Sequence, residues 1–164
     1  MKKIMFFLLI TLPWFILWLC IYIPIGYQKS CQSEFSISWV NSGGDIKYSN
    51  GVFFLSNSLF GSGVGIYSGG IYHVTSDNTV SERIPVHVSF HYDYKLTNGF
   101  YKINTTSMTT ELGNEADEGE IYRYISPILK TGGSVATQIN VLDGGKISTG
   151  PTEFPRFICT VKKT

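Results

Sequence analysis

The chain has 164 residues, with 13 Lys and Arg against 12 Asp and Glu, a net charge of +1 and 43% hydrophobic residues. That length suits one domain with a proper core and excludes a TIM barrel or a full Rossmann enzyme. The balanced charge argues against nucleic acid as a partner, because phosphate binding needs a clustered excess of Lys and Arg.

The averages join two unlike segments. All 12 acids lie at or beyond Glu34, and residues 4–25, IMFFLLITLPWFILWLCIYIPI, carry no charge. At about 1.5 Å per residue such a run spans about 33 Å, close to the hydrocarbon thickness of a bilayer. Bulky side chains such as Trp18, Leu19, Ile21 and Tyr22 continue to its far end, where a cleaved signal peptide would carry small residues. Pro13 is tolerable as a kink and Pro24 suits a helix terminus. The sequence therefore predicts a transmembrane helix, with Lys2 and Lys3 held in the cytoplasm by the positive-inside rule. Residues 1–26 then form a cytoplasmic stub and a span in contact with the lipid bilayer, and residues 27–164 form one domain on the far side.

That second segment reads as mainly β. Phe35, Ile37 and Trp39 share one face of a first strand, with Glu34, Ser36 and Ser38 opposite. Residues 52–55 form an apolar run of the kind buried on both faces. Residues 66–74, interrupted by Gly69 and Gly70, suggest a bulged strand or a hairpin with a glycine turn. The clearest strand places Ile84, Val86, Val88, Phe90, Tyr92 and Tyr94 on a core face. Asn98-Gly99 turns the chain into a strand over 100–110. An acidic cluster followed by a helical apolar stripe predicts one short helix within 114–129, about three turns long and limited by Pro127. Two further strands are predicted at 135–142, ending at the turn Asp143-Gly144-Gly145, and at 157–161. Seven or eight short strands, one helix and 17 glycines suggest a curved antiparallel sheet or a small barrel.

Of the three cysteines, Cys20 falls in the apolar run, and Cys31 and Cys159 stand at the two ends of the β-rich segment. In an oxidising compartment these two are expected to form a disulfide that fastens the entry of the chain to its last strand. His87 and His91, four apart on a strand, are about 13 Å apart and do not share a metal ion. They read as a solvent or partner face, with pH sensing as the alternative. Glu111, Glu115, Asp117, Glu118 and Glu120 lack calcium-loop spacing and suit a solvated loop or a helix N-terminus. Gly61, Gly63 and Gly65 spell G-S-G-V-G, but no helix pattern and no P-loop Lys follow, so a flexible or bulged strand entry is expected. Asn104 opens a glycosylation sequon by spelling only. No nucleophile, base and oxyanion set is apparent, so neither an enzyme nor a cofactor is expected.

The apolar head, the segment Cys31-Gln32-Ser33-Glu34-Phe35, the glycine-punctuated stretch 61–70 leading to Ile71, and the ending Phe157-Ile158-Cys159 resemble the FidL-like membrane proteins of enteric bacteria. The likeness covers nearly the whole chain, on loose motifs. It implies a companion of a membrane-bound winged-helix transcriptional regulator, in the manner of the ToxR and ToxS pair. It also implies a bacterial inner-membrane, single-pass placement with the N-terminus cytoplasmic and the C-terminal domain periplasmic, and a lipocalin-like barrel assembled with the partner. The function expected from it is to bind and stabilise or modulate the regulator's sensor domain. The alternative is a binder of amphipathic molecules such as bile salts, lined by Trp39, Phe90, Tyr92 and Tyr94, whose plainer role is core packing.

Overall fold

The computed structural model describes residues 10–18, 30–40, 45–58, 61–75, 77, 79–150 and 157–161. A first helix, α1, covers residues 10–18. The expected single-pass inner-membrane span over 4–25 is corrected on this point: among the described residues no helix is long and apolar enough to cross a membrane. Nine residues rise only about 14 Å, less than half of a hydrocarbon core. The rest of the apolar run, Cys20 and the expected 26/27 boundary lie outside the described residues.

The remainder is mainly β. The strands β1 (Cys31–Val40), β2 (Ile46–Asn57), β3 (Ser62–Val74), β4 (Val80–Thr97) and β5 (Phe100–Thr110) form an antiparallel meander. After the helix α2 (Glu118–Tyr124) come β6 (Ser134–Thr137), β7 (Ile139–Leu142), β8 (Lys146–Thr149) and β9 (Phe157–Val161). All nine belong to one sheet in the order β6-β5-β4-β3-β2-β1-β9-β8-β7. The two outermost strands are joined by the single residue Gln138, whose carbonyl accepts from the Gly150 N–H at 3.0 Å. They are thus two halves of one bent strand, the first paired to β5 and the second to β8. Chain continuity brings the sheet round on itself into a nearly closed antiparallel barrel.

Local chemistry accounts for the elements. On β4, Val86, Val88, Phe90 and Tyr92 are buried and alternate with half-buried or exposed neighbours, as period two requires. Asn98 (φ 53°) and Gly99 (φ 80°) both sit in the left-handed region that a tight hairpin turn needs. The expected helix is shorter than three turns. Asp117 caps its start by accepting from the Glu120 N–H at 2.8 Å, and the Glu120 carboxylate answers to the Asp117 N–H at 3.3 Å. Pro127 holds Ser126 extended, so the chain restarts as a single 3-10 turn over Pro127–Leu129.

The expectation for residues 52–55 is corrected, and of the two readings of residues 66–74 the irregular strand holds while the glycine turn does not. Residues 52–55 are not buried on both faces: Phe53 is in the core while Phe54 is 43% exposed on the outer wall. Gly69 and Gly70 make no turn. They lie within β3, Gly69 between Gly51 and Val86 and Gly70 between Asn50 and Pro85, and the register shift falls later, at His73/Val74.

The core explains these glycines. Phe53 is in contact with Phe35 (5.4 Å between centroids), Tyr67 (4.7 Å), Phe90 (6.3 Å) and Phe157 (5.4 Å). Such rings need room against the wall, and glycines supply it. A Cβ on Gly51 would lie 2.6 Å from the Tyr67 hydroxyl, and one on Gly65 would lie within 2.6 Å of three carbons of the Phe90 ring. One end is plugged by Ile121, Ile125 and Leu129 from α2 and the 3-10 turn. Ser49 Oγ, buried in β2, donates to the Tyr124 carbonyl at 2.6 Å and ties this plug to the wall.

Candidate functional site

The four residues expected to line a ligand cavity occupy two places. Phe90, Tyr92 and Tyr94 form a tilted series along β4, with centroids 5.8 and 6.4 Å apart. Phe90 lies over Gly65 and Tyr92 over Gly63, their direct partners on β3. The Tyr92 hydroxyl donates to Asn57 Oδ1 at 2.7 Å, and that of Tyr94 to the Ser58 carbonyl at 2.6 Å. Trp39 is elsewhere, at the helical end, edge-on to Tyr124 at 5.4 Å. The structure does not bring the four around one space. Three of them pack the wall between β2, β3 and β4, and the fourth packs the plug.

Burial pushes the phenols of Tyr67 and Tyr92 well above their ordinary range. The folded chain therefore holds these protons more tightly than the unfolded chain does. Their contribution is fully present below about pH 10 and is lost as the pH rises above that value. In an ultraviolet titration of the 10 tyrosines, these two should ionise only as the chain unfolds. Smooth ionisation of every tyrosine with the fold intact would contradict the burial.

The other chemical candidates are dispersed. His87 faces Ser68 Oγ at 3.0 Å, and His91 is exposed on the same outer face. Among the described residues no group of three His, Cys, Asp or Glu side chains converges on a metal position. Asp117, Glu118 and Glu120 sit at the start of α2, and Glu111 accepts from Ser89 Oγ at 2.5 Å. Gly63 and Gly65 belong to β3, not to a phosphate loop. Asn104 is half-buried within β5.

The most distinctive feature lies at the seam. Cys31 and Cys159 are joined by a disulfide, with Cα atoms 5.6 Å apart. The β1–β9 ladder beside it has only two pairs, Cys31↔Val161 and Gln32↔Thr160. Over residues 33–40, β1 is bonded to β2 on one side and has no strand on the other among the described residues. Ile37 and Val40 on this stretch are 38% and 70% exposed. The contrast with β5 is informative. Where β5 loses its ladder to β6, the connection from α2 replaces it: the Thr105 N–H donates to the Gly133 carbonyl at 2.9 Å, the Gly132 N–H donates to the Thr105 carbonyl at 2.8 Å, and Thr105 Oγ1 donates to Ile128. The β5 edge is covered in this way, whereas beside residues 33–40 of β1 no second strand is paired among the described residues. In the structure β1 has ten residues and β9 five.

No family model matches the chain, and no curated protein matches it in sequence.

Proposed function

We propose that this chain is an accessory binding protein whose barrel docks on a β-rich domain of a partner by adding strand to strand along residues 33–40 of β1. The stretch 33–40 of β1, which pairs with no second strand among the described residues, is the observation that carries this reading. An uncovered row of backbone donors and acceptors is a template for another strand, and soluble domains that do not use such an edge charge it, shorten it or cover it. Here residues 33–40 carry one charge, at Glu34, and two exposed apolar side chains. The partner implied by the sequence resemblance is the sensor domain of a membrane-bound winged-helix transcriptional regulator, which this barrel would stabilise or modulate. A ring of antiparallel strands closed by one bent strand supports the lipocalin-like reading of the fold. The packing of Phe53, Phe90 and Tyr92 favours protein docking over enclosure of a bile salt, because those rings fill the space an amphipathic ligand would need. Binding without catalysis fits the dispersed titratable groups.

Hydrogen exchange of the full chain tests this. Addition of the sensor domain of a winged-helix regulator should slow exchange at residues 33–40 and leave β3, bonded on both sides, unchanged. A lysine at the edge, Val40→Lys, should weaken the complex about tenfold, through a charge set against an incoming strand. Exchange at β1 that stays fast in the presence of a bound partner would overturn the edge as the docking site.

A further inference from the structure

A second surface, independent of the β1 edge, carries unused hydrogen-bonding groups. Across the outer faces of β2, β3 and β4, beside β5, lies an open cleft of about 290 Å³. That volume is near the lower end of the range for small-molecule clefts, about 300 Å³. Four observations converge on it. Ser62 stands opposite Asp93 and Val64 opposite His91, so these four side chains share one patch of outer wall. The β4–β5 ladder shifts here: His91 pairs with Ser107 and Tyr92 with Thr105, which leaves Thr106 as the extra residue of a bulge, turned into the cleft. Bulges of this kind re-aim a side chain at the cost of one ladder position. The rim is held rigid by backbone bonds from the Ser58 N–H to the Ser62 carbonyl at 2.8 Å and from the Tyr94 N–H to the Gly61 carbonyl at 2.7 Å. Finally, the side chains of Ser62, His91, Asp93 and Thr106 make no hydrogen bond among the described residues.

The chemistry of these groups selects a ligand class. Hydroxyls at Ser62 and Thr106, the imidazole of His91 and the carboxylate of Asp93 offer donors and acceptors together, and among the described residues neither Lys nor Arg lines the cleft. An anion would meet the Asp93 carboxylate with no cation to offset it. A metal ion would find only His91 and Asp93, below the three ligands that a protein site usually supplies. Ser62, His91 and Asp93 are not linked by hydrogen bonds, so the set lacks the relay that activates a nucleophile. A neutral polyol meets the remaining description. Its hydroxyls both donate and accept, a carboxylate accepts two of them, and its C–H face packs on the exposed part of Val64. We propose that this cleft is a binding site for a small neutral polyol of monosaccharide size.

The test is an NMR titration of the full chain, following the His91 imidazole, with glucose and N-acetylglucosamine as probes and glucose 6-phosphate as the charged control. A saturable shift with a Kd on the order of 1 mM is expected for at least one neutral sugar, the weak affinity of an open cleft. Asp93→Ala should weaken that binding at least about tenfold, since hydrogen bonds to a charged group are the strong ones. Thr106→Val should weaken it about threefold. Both residues are exposed, so melting temperatures should stay unchanged and separate lost binding from lost folding. No saturable shift with either neutral sugar, binding indifferent to Asp93→Ala, or tighter binding of the phosphate ester would each overturn the proposal.

Discussion

Reduction of the Cys31–Cys159 disulfide, or its removal by Cys31→Ala with Cys159→Ala, is expected to lower stability by about 4 to 5 kcal/mol. The two residues are 128 apart in sequence, so the bond closes nearly the whole described β domain into one ring. Loop-closure entropy for rings of that order is about 4.7 kcal/mol at 25 °C. The local structure gives the bond further leverage. Among the described residues two residue pairs hold β9 to β1, against ten between β1 and β2. Without the bond, the unpaired stretch of β1 should lengthen to include Cys31 and Gln32. A domain of this size is usually stable by about 5 to 15 kcal/mol, so the loss takes a large fraction of the total. Urea unfolding of the oxidised and reduced forms measures it. A difference below about 1 kcal/mol would show that the seam holds without its covalent link. The same comparison bears on the docking edge, since a frayed β1 should bind a partner strand less tightly.

The bond was legible from the sequence because it needed only a count and two positions. The face of β4 was legible for a similar reason: alternation from Ile84 to Tyr94 is a local pattern, and Asn98-Gly99 is a local turn signal. What was not legible depends on partners distant in sequence. Gly69-Gly70 carries the local spelling of a turn, yet the chain runs straight through, because Gly51 lies opposite Gly69 and the Tyr67 ring occupies the space that two Cβ atoms would take. Phe54 reads as core within an apolar run, but alternation around the buried Phe53 turns it to the outer wall. The apolar head misled in another way. Composition gave residues 4–25 the length of a span, whereas the described helix there covers only 10–18. The stretch of β1 that pairs on one side alone among the described residues and the cleft beside Thr106 are both products of register, the latter from a single extra residue, and no local pattern spells either.

The glycine positions on β3 lead to the second large effect. Gly65→Val is expected to destabilise the fold by about 3 kcal/mol, at the upper end of the usual cost of overpacking a core. The backbone of β3 cannot move aside there, because Gly65 is paired to Leu55 on one strand and to Phe90 on the other. The Phe90 ring cannot swing inward either, since Phe53 stands 6.3 Å away and is itself packed against three further rings. Gly99 makes the useful contrast: nothing lies within 4 Å of a Cβ there, and Gly99→Ala should cost only about 1 kcal/mol, from its positive φ. The cause assigned to Gly65 can be isolated by a double-mutant cycle. Phe90→Ala alone should cost about 3 to 5 kcal/mol through the cavity it leaves. In the double variant the valine methyls enter that cavity, so the combined loss should fall short of the sum by about 1 to 3 kcal/mol. Strict additivity in urea unfolding would mean that the ring and the glycine do not share the space. The aromatic filling of the wall would then no longer explain why β3 is built on glycine, and the interior would again be open to a ligand.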